Sequence, residues 1–424
     1  MKSIITRTSH TGKIIRNVRF HMALKKNYKH MKRLLLSLFF IGLVCSCSKS
    51  EKNTEQVVTS YSLEIIDSLD LEILGDALIA DVNMDASKFL FYDFASSDLI
   101  TTDQKGTILS RFSKKEDTPD AYGFMMEVPG FFKSEQIVVM GMSGIFLYDF
   151  EGNMIQKIEH PESIGGAGFM TISGKSTEST TLNGKEYILS KSVRSRETFP
   201  GEQEFYTSFK ALEIIDAEKK TLTDMVPFEE GSIFLNGTGY FESDYSPAFE
   251  AQDGKLYLSL GAEQKLFVYD LSPVGASLDT MVSFTIPGFQ TLVPKDFSQF
   301  SEGSVIINGS TPSIRNIHIL DGKVLAHYYP GIDPEKMKDA EVLWNQGKPE
   351  EAGAMYEKLE AELAQGILIF DQKTLKLEGN IPFPKSVNKG GFASGGGYLW
   401  MEKTSNKEEE EDFLRIYKVK LVQK

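Results

Sequence analysis

The sequence predicts an all-β protein, a six-bladed β-propeller with a short helical insertion, closed by its N-terminal strand. Three observations carry this reading. A strand–turn–strand unit recurs about six times. The last copy runs out of chain before its second strand. A single alternating strand stands unpaired ahead of the first copy. A propeller closes its ring when the N-terminal strand completes the final blade, which removes exposed sheet edges. The alternatives are a pair of β-sandwiches or an irregular β-solenoid.

The unit is an apolar strand ending in Asp, a polar turn, and a second strand. Its copies are LITTDQKGTILSRF (99–112), IFLYDFEGNMIQKI (145–158), ALEIIDAEKKTLTDMV (211–226), LFVYDLSPVGASLDTMVSF (266–284) and ILIFDQKTLKLEGNI (367–381). FLRIYKVKL (413–421) is the truncated sixth. Asp103, Asp149, Asp216, Asp270 and Asp371 end the first strands. An Asp carboxylate there accepts hydrogen bonds from backbone N–H groups about two residues on. Further strands precede the units, as in KFLFYDF (88–94), QIVVMGM (136–142), EYILSKSV (186–193) and GYLWMEK (397–403). Asp-Gly-Lys turns at 253–255 and 321–323 lead into two more. The unpaired strand is SYSLEIIDSLDLEIL (60–74).

One interval breaks the spacing. Residues 333–364 contain Asp333-Pro334, an N-cap followed by Pro at the first helical position. Gly347 ends that helix and Pro349 opens another. In the second helix Ala352, Met355, Tyr356, Leu359 and Leu363 share one face. The segment GKPEEA with Tyr356 resembles one tetratricopeptide-type helix pair. A single pair cannot bury its face alone, so it is expected to pack on the propeller rim.

The N-terminus addresses the chain to a membrane. MKRLLLSLFFIGLVCSCSKSEKN (31–53) has a basic start at Lys32 and Arg33 and an apolar run from Leu34 to Val44. That run is the length of a secretory signal and short for a membrane span. Val44-Cys45-Ser46-Cys47 resembles a bacterial lipobox, which assigns lipidation to Cys47 and removes Cys45 with the signal. An ordinary secretory signal with an incidental cysteine is the alternative. The spacing of Cys45 and Cys47 excludes a CxxC redox motif. The thirty residues before Met31 fit a start site placed too early, or else a long basic n-region. Residues 1–46 form the extension and signal, 47–56 a polar tether, and 57–424 one propeller domain.

Processing would remove ten of the 46 Lys and Arg and none of the 59 Asp and Glu, taking the formal charge from −13 to −23. Nucleic acid is excluded as a partner, because phosphate binding needs a basic face. Without disulfides, packing must supply the stability, and the chain is long enough for a large core. Aromatics make up 11% of the chain, mostly Phe and Tyr, which suit strands.

Catalytic chemistry is not legible. His160, His318 and His327 are the histidines beyond the signal, and none pairs at metal-ligand spacing. No metal and no cofactor are expected. His318 is expected to be a packed or rim residue. Gly141-Met142-Ser143-Gly144 fails the nucleophile-elbow spacing at Ile145. The run from Gly390 to Gly397 lacks the Lys-Ser/Thr end of a phosphate loop and is expected to be a turn between blades. The acidic run from Glu408 to Asp412 is expected at a hairpin tip. Two loops, DTPDAYGF (117–124) and GYFESDYSPAF (239–249), mix aromatics and carboxylates. Asp120, Tyr122, Glu242, Asp244 and Tyr245 are the candidate ligand-binding residues. The competing expectation is that the tyrosines pack between blades and the carboxylates cap turns.

Lipobox, tether, aromatic-Asp hairpins and the terminal acidic-DFLRIYKVKL strand together resemble the uncharacterised TolB-like six-bladed β-propeller lipoproteins of Gram-negative bacteria. KKEDTPDAYGF (114–124) is similar to their acidic-Gly-Pro loop but lacks the Gly before Pro119. The resemblance spans about residues 57–424 and implies a propeller at the cell envelope, lipid-anchored at the outer membrane. It brings no catalytic residues. The expected function is a non-catalytic binding or scaffold module for a glycan, peptide or envelope protein. The alternatives are a propeller hydrolase or lyase using carboxylates from separate blades, and an adaptor that docks a partner on the helical insertion.

Overall fold

The computed structural model describes residues 60–73, 77–116, 118–133, 135–161, 174–192, 197–303, 306–404 and 413–424. The signal, Cys47, the tether and the acidic run 408–412 lie outside the described residues.

Strand β1 (Tyr61–Leu71) comes first in the chain but belongs to the last blade. Blade one is β2 (Ala77–Val82), β3 (Lys88–Asp93), β4 (Asp98–Asp103) and β5 (Ile108–Phe112). Blade two is β6 (Gly130–Phe132), β7 (Gln136–Gly141), β8 (Gly144–Tyr148) and β9 (Met154–Ile158). Blade three is β10 (Thr177–Leu182), β11 (Lys185–Lys191), β12 (Leu212–Asp216) and β13 (Thr221–Met225). Blade four is β14 (Pro247–Gln252), β15 (Lys255–Leu260), β16 (Lys265–Ser272) and β17 (Gly275–Ser283). Blade five is β18 (Ser313–Leu320), β19 (Lys323–Tyr329), β20 (Gly366–Asp371) and β21 (Leu377–Pro382). Blade six is β22 (Val387–Gly395), β23 (Tyr398–Lys403) and β24 (Leu414–Gln423), with β1 as its outer strand.

The closure predicted from the spare strand is therefore present. β1 pairs antiparallel with β24 from Tyr61 opposite Gln423 to Leu71 opposite Leu414. Arg415 holds Asp70 through two hydrogen bonds of 2.6 and 2.8 Å. That pair is exposed, so backbone pairing and the burial of Leu71 secure the closure more than the charge does.

Burial falls from the middle strands to the rim. GIFLY in β8 is buried throughout, whereas ILSRF in β5 is largely exposed. Middle strands are covered on both faces by neighbouring blades and read as continuous apolar runs. There is no single core. Six apolar clusters each lie between two consecutive blades, the last joining Ala393, Trp400 and Ile416 of blade six to Ile79, Phe89 and Phe91 of blade one. Phe89 and Trp400 meet edge to face there at 4.7 Å.

Four of the Asp carboxylates cap their turns, Asp103 and Asp216 from two residues on as expected and Asp149 and Asp371 from four and three residues on. Asp103 accepts from Lys105 N at 2.8 Å, Asp149 from Asn153 N at 2.8 Å, Asp216 from Glu218 N at 3.1 Å and Asp371 from Thr374 N at 2.9 Å. Asp270 differs. β16 runs on to Ser272, so Asp270 stays in the ladder and pairs with Lys255 at 2.6 Å. The Asp-Gly-Lys turns have φ of 52° and 75° at Asp253 and Gly254, and 50° and 72° at Asp321 and Gly322, the signs of a type I′ hairpin.

The glycine run is corrected. Gly390 to Gly395 lie inside β22, the innermost strand of blade six, and only Gly396 and Gly397 turn. Crowding at the axis explains the composition. A Cβ on Gly391 would fall on the Glu402 carboxylate, and one on Gly395 would meet Val82 and the carbonyl of Asn83.

Among the described residues, two short α-helices lie outside the insertion and two longer ones form it. α1 (Gln203–Ser208) and α2 (Glu242–Tyr245) flank blades three and four. α3 (Pro334–Asn345) and α4 (Pro349–Ala361) form the predicted pair between β19 and β20. Asp333 accepts from Glu335 N at 2.9 Å as the N-cap of α3. Ala352 is buried, and Met355, Tyr356 and Leu359 are half-buried, while Trp344 of α3 stands 66% exposed. Among the described residues no helix is long and apolar enough to cross a membrane.

Candidate functional site

The first strand of each blade borders the ring axis, and its inward edge has no partner strand. Unpaired backbone N–H groups must be satisfied from elsewhere. Carboxylates from adjacent blades do this at three seams. Phe131 N in β6 donates to Asp81 of β2 at 2.7 Å. Ala251 N in β14 donates to Glu178 of β10 at 3.1 Å. Ile79 N in β2 donates to Glu402 of β23, whose other oxygen accepts from Asn388 at 2.9 Å.

The six inner strands enclose a cavity of about 840 Å³. Every blade contributes: Asp81 from blade one, Phe131 from blade two, Glu178 from blade three, Glu250 from blade four, His318 from blade five and Ser394 from blade six. This volume is in the range of small-ligand sites.

A polar chain crosses four blades in its wall. Lys175, just ahead of β10, lies 3.3 Å from Glu178 and pairs with Glu250 of the next blade. Glu250 Oε2 lies 3.9 Å from His318 Nδ1. His318 Nδ1 is 2.7 Å from Ser394 Oγ. His318 is 2% exposed, and its Nε2 has no hydrogen-bond partner among the described residues. Burial pushes the His318 imidazole well below its ordinary pKa, so it stands neutral. Burial raises Glu178, opposed by Lys175. Burial also pushes Asp81 up to about 6, against its hydrogen bonds from Phe131 and Val82.

The wall and mouth are acidic. Glu186 joins Asp81, Glu178 and Glu250 along the wall, and the hairpin turns add Asp85, Asp253 and Asp321. Against these seven carboxylates stand two lysines, Lys133 and Lys175. Among the described residues, no group of three or more His, Cys, Asp or Glu is placed to hold a metal ion.

The five loop residues lie elsewhere. None lines the axial cavity. Asp120 pairs with Lys114 at 2.5 Å and accepts from Thr118 at 2.8 Å. Tyr122 is buried at the seam of blades one and two, its hydroxyl 3.3 Å from the Ser97 carbonyl. Glu242 accepts from Ile306 N at 3.2 Å. Asp244 is buried, accepting from Phe241 N at 2.9 Å and Thr311 Oγ1 at 2.7 Å. Tyr245 sits in the aromatic cluster between blades three and four. The two groups belong to different seams and are not assembled into one site.

Sequence reasoning did not single out Asp81, Lys175, Glu178 or Glu250. A signal was present. Thr180, Glu250 and His318 each stand three residues before the first turn residue of Asn183-Gly184-Lys185, Asp253-Gly254-Lys255 and Asp321-Gly322-Lys323. All three line the cavity. Aligning the units on these turns places Glu250 and His318 in equivalent positions.

Fold and site together define a six-bladed β-propeller with an acidic axial cavity. The chain is similar to a member of the DUF4221 family from Bacteroides vulgatus, with a TM-score of 0.58 at 12% identity, covering 86% of this chain and 99% of that one. It also aligns with a putative exported protein from Bacteroides fragilis, at a TM-score of 0.47 and 12% identity over 85% of this chain and 95% of that one. No family model and no curated protein matches the sequence. At these identities the likeness establishes the fold alone.

Proposed function

We propose that this chain is an envelope lipoprotein, anchored through Cys47, whose propeller is a non-catalytic binding module with its ligand site at the ring axis. The carrying observation is the cavity of about 840 Å³ walled by all six blades. Side chains held by contacts across several blades are pre-organised, which lowers the cost of binding. The lipobox supports the anchor, since two or more acyl chains give stable membrane attachment. A soluble glycan or a short peptide is of a size to enter, whereas a folded partner would meet only the rim.

The hydrolase or lyase reading has one observation in its favour. Glu178 and Glu250 come from separate blades and converge on Lys175. Both are held as the acceptors of that lysine, which suits a structural ion cluster better than a free acid and base.

Two measurements test the proposal. Protease shaving of intact cells, with Cys47→Ala as control, reads anchoring and sidedness. Retention of Cys47→Ala at the membrane as tightly as wild type would refute the anchor. A thermal-shift screen of glycans and short peptides on the full chain reads the site. A hit whose stabilisation survives Glu250→Gln and Asp81→Asn together would move the site off the axis.

A further inference from the structure

The inference that follows rests on the axial-site reading and names its ligand chemistry. Five of the seven cavity carboxylates, Asp81, Asp85, Glu186, Asp253 and Asp321, form no ion pair among the described residues. The other two share Lys175. Carboxylates gathered in a concave wall reinforce one another's field and exclude anions. Independently of the charge, His318, a buried residue of the wall, leaves its Nε2 without a hydrogen-bond partner among the described residues. Between the carboxylates lie Leu78, Phe131, Ile319 and Phe392, an apolar surface that fits methylene groups.

We propose that the axial cavity binds an alkyl oligoamine, with ammonium groups on the carboxylates and an apolar stem along the strands between them. Lys175 Nζ, held between Glu178 and Glu250, shows how one ammonium sits there. Free oligoamines and lysine-bearing peptides share this chemistry.

The test is isothermal titration of the full chain with spermidine, with the peptide Lys-Lys-Lys, with magnesium and with a neutral trisaccharide. The informative variant is Asp253→Asn with Asp321→Asn. Asn tolerates the positive φ of these turn positions as Asp does, so the hairpins are retained. Spermidine is expected to bind, to weaken with added salt, and to bind the double variant roughly tenfold more weakly. Tighter binding of Lys-Lys-Lys than spermidine would assign the site to peptide amines, and the reverse to free oligoamines; either supports the proposal. No spermidine or Lys-Lys-Lys binding, equal affinity in the double variant, or displacement by equimolar magnesium overturns it. If the trisaccharide binds and the amines do not, the axial site stands and only its cationic chemistry falls.

Discussion

Glu250 and His318 occupy the same position in adjacent blades and meet across the seam, with Oε2 of one 3.9 Å from Nδ1 of the other. Each stands three residues before the Asp of an Asp-Gly-Lys turn. A repeat that serves the fold thus also aims side chains at the axis. Because neighbouring blades are related by rotation about that axis, one register position in each blade contributes to a ring of side chains. The contents of that ring set the chemistry of the cavity wall.

Removing one member of the polar chain should cost stability. Glu250 and Lys175 are mostly buried, and losing a partner leaves a charge without compensation. Glu250→Ala is expected to destabilise by about 1–3 kcal/mol, less than a fully buried pair, because Glu178 still holds Lys175. Urea denaturation at neutral pH measures this. An unchanged midpoint would show that the chain carries no structural weight.

His327 predicts an acid-sensitive arm. Burial pushes its imidazole down to about 3, against an unfolded value of about 6.5. Between those values the unfolded chain binds the extra proton. Stability from this group is therefore full above about pH 6.5 and lost as pH falls, at up to about 1.4 kcal/mol per pH unit. Asp81 has the opposite sign, since its raised pKa makes acidification between about 6 and 4 favourable. Denaturation at pH 7 and pH 5 should show a steeper acid loss in wild type than in His327→Gln. Equal losses would assign the acid arm to other groups.

Closure by β1 should be essential. Leu71 is fully buried at its end, and Leu71→Ala is expected to cost about 2–4 kcal/mol. A chain beginning at residue 77 leaves β24 as an open edge and is expected to self-associate. Size-exclusion chromatography against a chain beginning at residue 57 decides the point. A stable monomer lacking β1 would refute closure as the source of solubility.

The helical insertion should be separable. Tyr328 pairs with Gly366 directly across the ladder, so a short turn can replace residues 333–364. Circular dichroism should then lose helical signal while the propeller still unfolds cooperatively. Collapse of the whole domain would make the pair part of the core. Partner capture lost by an intact deletion variant would favour the adaptor reading.

Gly391→Ala is expected to destabilise the seam of blades six and one. The new methyl would displace Glu402, which accepts the Ile79 N–H. A cost of about 1–3 kcal/mol follows from a buried donor left without its acceptor. Hydrogen exchange at Ile79 reads it directly, and unchanged protection there would sink the explanation.

Much of the architecture was legible in the sequence. The hairpin period, the missing outer strand and the spare N-terminal strand are all local patterns, and each strand carries its own alternation or apolar run. The helix pair was legible from Asp333, Pro334, Gly347 and Pro349, because caps and breakers act within a few residues. The inner strands were harder. β6 has only three residues, and β22 is glycine-rich, so neither has a strand's composition. Their pairing comes from the strand beside them.

The sequence by itself determined the number of blades, the way the ring closes and the helical insertion. The tertiary structure alone decided which side chains meet at the axis. Asp81, Glu178, Glu250 and His318 are separated by tens of residues and line one cavity only because the closed ring brings their inner strands around one axis. The same packing gave Asp120, Tyr122, Glu242, Asp244 and Tyr245 partners of their own away from that line. Local chemistry writes the strands. Proximity between blades is a property of the closed ring, and no stretch of the chain encodes it alone.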